Sequence, residues 1–114
     1  MDRIWPAATN RRVHVGPIDV TFELGPDETL IAAAWREGYY WPTVCGGRGE
    51  CTACHVVIEE GAANAVPPDR IEDLVLAPVL ARRDPRLTIR LACQLKVRGP
   101  VRVHKKAVRR RITQ

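Results

Sequence analysis

Hydrophobic and polar residues alternate along the first third of the chain. Val13 and Val15 are separated by polar residues, Gly16-Pro17 supplies a turn, and Ile18, Val20, Phe22 and Leu24 alternate again. This pattern predicts a β-hairpin with one buried face. After Gly25-Pro26-Asp27 the period lengthens, and Thr29 to Glu37 reads as a helix closed by Gly38. Asp27 or Thr29 caps its first turn, and Leu30, Ile31, Ala34 and Trp35 form its apolar face. A loop from about Tyr40 to Cys54 follows, then a strand from His55 to Glu59 with Val56 and Ile58 on one face and Val57 on the other. Pro67-Pro68-Asp69 opens a second helix through Ile71, Leu74 and Val75, which Pro78 interrupts. Leu87, Ile89 and Leu91 alternate into Cys93, and Val101 and Val103 make a last short strand. The fold class expected from pattern alone is α+β.

The 114 residues suffice for one domain, taken as residues 1–104, with a tail at 105–114. Lys and Arg number 18 against 13 acids, but Lys105, Lys106, Arg109, Arg110 and Arg111 all lie in that tail, so residues 1–104 are formally neutral. A short basic end reads as a solvated one. It holds no aromatic residue to stack on bases, which argues against nucleic acid. The longest apolar run, Leu74 to Ala81, has eight residues and contains Pro78, far short of the ~20 a bilayer span needs. The opening MDRIWPAATN has no apolar stretch of the kind an export signal requires. The expectation is a cytoplasmic protein with no membrane partner.

Cys45, Cys51, Cys54 and Cys93 are the informative residues: five residues separate the first two, two the next, and 38 the last. Two disulfides would suit a secreted chain. Structural zinc usually takes two close ligand pairs, and only Cys51-Thr-Ala-Cys54 is such a pair. A zinc-stapled interaction module is thus one alternative. Three cysteines in one loop and a fourth from a distant strand fit a [2Fe–2S] centre, and Gly46, Gly47 and Gly49 let the loop's amides approach sulfur. Such amides stabilise a cluster with a formal charge of about −2 when oxidised.

The run CGGRGECTACH followed by VVIE, with LACQ near the C-terminus, resembles the [2Fe–2S] ferredoxins. The five-residue gap, with His55 after the third cysteine and Gln94 after the fourth, is similar to the vertebrate-type (adrenodoxin and putidaredoxin-like) group, whereas the chloroplast group has four residues there. The form CGGRG also resembles ferredoxin domains of other bacterial redox proteins, including corrinoid-activating proteins. The resemblance covers roughly residues 12–104 and implies a β-grasp fold, a curved mixed sheet packed on one main helix. It implies iron ligation by Cys45, Cys51, Cys54 and Cys93, with Gly46, Gly47, Arg48 and Gly49 around the cluster. It also implies a monomeric one-electron carrier without catalytic residues, which passes electrons from a flavin (FAD) ferredoxin reductase to a cytochrome P450 or Rieske-type oxygenase. A fixed redox subunit and a ferredoxin of iron–sulfur biogenesis are alternatives with the same cofactor.

Other residues have assignable roles. Arg48 and Glu50 project from the loop as docking candidates. Asp69, Glu72 and Asp73 match the helix whose acids, in vertebrate-type ferredoxins, dock basic partners. Acids near a helix N-terminus also follow from the helix dipole alone, and Arg70, Arg82, Arg83 and Arg86 dilute the acidic surface. Tyr39, Tyr40 and Trp41 read as a lid that excludes water, with an aromatic electron gate as the alternative. His55 is not needed as a ligand beside four thiolates, and His14 and His104 are strand residues.

Overall fold

A computed structural model of the chain describes residues 11–42 and 53–110. The hairpin is formed by β1 (Arg12–Gly16) and β2 (Val20–Glu23), with Val13 opposite Phe22 and Val15 opposite Val20. Val13, Val15 and Phe22 are buried, as period-2 alternation requires. Asp19 closes the turn at φ 67, a conformation Asp tolerates better than most residues, and its N–H donates to the Val15 carbonyl at 2.9 Å.

Helix α1 (Leu30–Arg36) starts at Thr29, whose hydroxyl accepts from the Ala32 N–H at 3.3 Å. Thr29, rather than Asp27, is therefore the cap. The helix ends where Gly38 takes φ +83, the left-handed conformation that closes a helix at least cost in glycine. Leu30, Ile31, Ala33 and Ala34 are buried.

After β3 (Tyr39–Tyr40) come β4 (His55–Glu60), a 3-10 turn at Ala62–Asn64, α2 (Arg70–Leu80), β5 (Thr88–Leu91), β6 (Val101–His104) and β7 (Arg109–Arg110). The five-stranded sheet has the order β2-β1-β6-β4-β5. β1 and β6 are parallel, with Val13 opposite Val101 and Val15 opposite Val103; the other pairs are antiparallel. This mixed sheet with its two helices is an α+β architecture, the β-grasp arrangement that the resemblance implies. The connection from β4 to α2 depends on Gly61, at φ +81, where a Cβ would lie 2.3 Å from the Pro100 carbonyl oxygen.

Three sequence expectations need correction. Pro78 does not interrupt α2, which runs to Leu80. Proline removes only its own bond to the Leu74 carbonyl, and the Ala81 N–H donating to Ala77 at 3.0 Å closes the helix beyond it. The buried face of α2 is made by Glu72 and Leu76 with Val75 and Val79 beside them, while Ile71 and Leu74 are each 67% exposed. Leu87 lies in the turn before β5, its N–H donating to Asp84 at 3.0 Å. Finally, residues 105–110 are not a free end, although Lys106, Ala107, Arg109 and Arg110 stay exposed. The Lys105 N–H donates to Gly16 at 2.8 Å, Val108 is buried, and Arg109 and Arg110 pair with Tyr40 and Tyr39. Their guanidinium groups stand 4.5 and 5.6 Å from those rings, and Tyr39 meets Phe22 edge-on at 5.2 Å.

Candidate metal centre

Cys54 ends the turn that leads into β4, and Cys93 lies in the turn that follows β5. β4 and β5 are antiparallel neighbours, with His55 opposite Leu91, so sheet pairing carries the two cysteines to the same end of the strands. Both are buried, and neither is in a disulfide. The Cys54 carbonyl fixes this meeting. It accepts from the Ala92 N–H at 3.4 Å and from the Trp41 indole N–H at 3.2 Å. Trp41 is 1% exposed, so the residue read as a lid packs in the core and holds a cysteine's backbone.

The turn bearing Cys93 is held from the other side by α1. The first amides of a helix have no partner within it. Here the Leu30 N–H donates to Leu95 at 2.9 Å and the Ile31 N–H to Ala92 at 3.0 Å. The helix thereby satisfies two orphan donors and clamps the carbonyls on both sides of Cys93. The Gln94 side-chain amide points at the Cys93 sulfur at 3.7 Å.

A third support comes from Glu72. Its carboxylate accepts from Arg90 Nε at 2.8 Å, from Arg90 Nη2 at 2.9 Å and from the Leu91 N–H at 2.8 Å. Arg90 Nη1 donates to the Val66 carbonyl at 2.6 Å, and Asp69 accepts from the Glu72 N–H at 2.8 Å. Glu72 is 2% and Arg90 5% exposed, so the pair belongs to the core and fixes the exit of β5, two residues before Cys93. Glu72 is therefore out of a docking partner's reach, which corrects its assignment to an acidic outer face. Asp69 and Asp73 remain exposed. Sequence reasoning missed this pair. The available signal was Arg90 between Ile89 and Leu91, since a charge in a strand covered on both faces requires an acid.

The electrostatics suit a cationic core. The Cys54 thiol is pushed well above the ordinary thiol range, first by its hydrogen bond with the Cys93 sulfur and then by burial. Two adjacent buried thiolates are unfavourable unless positive charge sits between them, and iron supplies that charge. The paired sulfurs and the Gln94 donor thus fit an iron–sulfur group. Cys45, Gly46, Gly47, Arg48, Gly49, Glu50 and Cys51 lie outside the described residues.

Comparisons with known proteins agree with this chemistry. A family profile described as the 2Fe-2S iron-sulfur cluster binding domain matches residues 13–98. The 2Fe-2S ferredoxin-5 of Aquifex aeolicus is 36% identical over 88 residues, covering 77% of this chain and 88% of the relative. Among solved structures, a ferredoxin from Rhodopseudomonas palustris HaA2 superposes with a TM-score of 0.58 at 24% identity, covering 90% of this chain and 97% of that one. A cytochrome P450 reductase from Amycolatopsis gives 0.63 at 24% identity, covering 91% of this chain but 28% of the reductase.

Proposed function

Because the chain belongs to the 2Fe-2S iron-sulfur cluster binding domain family and so carries one [2Fe–2S] cluster for electron transfer, we propose that Cys45, Cys51, Cys54 and Cys93 are its ligands and that it relays single electrons from an FAD-dependent reductase to a cytochrome P450 or Rieske-type oxygenase. The observation that carries this reading is the meeting of two buried cysteines from distant segments, with an amide donor aimed at one sulfur. When bound, the cluster accepts and returns one electron at a time.

The chain's own residues have separable tasks. Trp41 excludes water and pins the Cys54 backbone. The α1 amides and the Glu72–Arg90 pair keep Cys93 at a fixed distance from Cys54. The Gln94 amide donates toward the Cys93 sulfur and so favours the more negative state. Fixed donors and the anchored backbone at Cys54 and Cys93 leave little to reorganise there when charge changes, which suits a relay. No helix among the described residues is long and apolar enough to cross a membrane.

A second reading makes the chain a redox module within a larger reductase assembly. Its match to about a quarter of a P450 reductase favours that. A reductive titration under anaerobic conditions tests the relay common to both. The expected result is uptake of one electron per chain, with an electron paramagnetic resonance signal of matching spin count in the reduced protein. Uptake of two electrons, or none, would overturn it. Gel filtration with the reductase then separates the two readings, because a mobile carrier dissociates as salt rises.

A further inference from the structure

A cavity of about 290 Å³ is lined by His55, Val57, Arg83, His104, Lys105 and Lys106. Three of these residues carry permanent positive charge, two are histidines, and none is a carboxylate. Three segments build it. β4 and β6 pair Val57 with His104, which places His55, Val57 and His104 on one face of the sheet. Arg83, just past the end of α2, reaches His55, with Nη1 3.5 Å from Nε2. Lys105 and Lys106 follow β6 directly.

The cavity is tied to the candidate metal centre through the backbone on both sides of Cys54. His55 is the residue after Cys54, and Lys105 Nζ donates to the Ala53 carbonyl, the residue before it, at 2.6 Å. Among the described residues the neighbouring acids are engaged or displaced: Asp84 is bound by Arg86 at 2.6 Å, Glu72 is in the core, and Glu59 and Glu60 stand at the far end of β4. A cleft lined by one sign of charge concentrates the opposite charge and speeds encounter by ~10–10³. Arg83 and Lys106 are exposed and available to a partner.

We propose that this cavity receives the carboxylates of an acidic redox partner, which docks on the β4–β6 face beside Cys54 rather than on the acids of α2. The proposal rests on the electron-carrier reading and reverses the charge expected of its partner.

The test compares the cluster-loaded protein with Arg83→Glu/Lys106→Glu, and with Arg70→Glu/Arg98→Glu as a control of equal charge change on exposed residues elsewhere. Each is reduced and then oxidised in stopped flow by the anionic cobalt(III)–EDTA complex or by cationic hexaamminecobalt(III). In either case one electron leaves the protein and cobalt(III) becomes cobalt(II). The cavity variant should react about 10-fold more slowly with the anionic oxidant, lose most of its salt dependence, and react no more slowly with the cationic one. A hexaglutamate peptide should bind the wild-type and control proteins in calorimetry at low salt, but not the cavity variant. Equal losses in the cavity variant and the control would overturn the proposal, as would phosphate binding without hexaglutamate binding, which marks a small-anion site. Calorimetry reads the cavity independently of electron transfer. A protein that binds hexaglutamate but lacks iron–sulfur absorption would therefore fail the carrier reading and not the cavity.

Discussion

Replacing Glu72 by alanine is expected to lower the thermal midpoint of the protein by more than about 10 °C. The substitution strips a buried guanidinium of its counter-charge and leaves the Leu91 N–H without an acceptor. Breaking one side of a buried ion pair costs about 3–5 kcal/mol, a large part of the ~5–15 kcal/mol that holds a domain together. In a domain of this size such a loss corresponds to roughly 10–25 °C. The double substitution Glu72→Met/Arg90→Met should recover a substantial part, because it removes both charges together. Melting followed by far-ultraviolet circular dichroism checks both. A midpoint within about 2 °C of wild type for Glu72→Ala would show that the pair does not hold the exit of β5.

Cys93→Ser is expected to leave the polypeptide folded and remove most of its iron. The turn around residue 93 is fixed by backbone bonds from Leu30 and Ile31 that do not involve the sulfur, so the fold loses little. The site loses more. A serine hydroxyl gives up its proton far less readily than a thiol, and iron–sulfur cores are held by thiolates. Iron content and visible absorption should both fall, while the far-ultraviolet spectrum stays close to wild type. An unchanged visible spectrum would remove Cys93 from the ligand set.

Much of this arrangement is legible in the sequence because it is local. Val13, Val15 and Phe22 show their shared face through alternation, and Thr29 marks a helix start through its hydroxyl. The cysteine spacing speaks for itself because few chemistries use three thiols in one loop and a fourth far away. What stayed hidden depends on partners remote in sequence. Glu72 and Arg90 are 18 residues apart, and an acid on an amphipathic helix reads as solvent-facing until a buried cation is found opposite it. With Glu72 turned inward to meet Arg90, Ile71 and Leu74 stand on the outer side of α2. Likewise, Arg109 and Arg110 read as part of a charged end. Their place against Tyr40 and Tyr39 follows from cation–π contact and the burial of Val108, neither of which has a sequence period. The cationic cavity is illegible for the same reason, since Arg83 lies far along the chain from His55 and Lys106.

Joint determination of iron, acid-labile sulfide and zinc in the purified protein reads what the cysteines hold. Two irons and two sulfides per chain are expected, with zinc near zero, as the family's [2Fe–2S] group requires. A colourless protein bearing zinc and no labile sulfide would rule out an iron–sulfur centre at these cysteines.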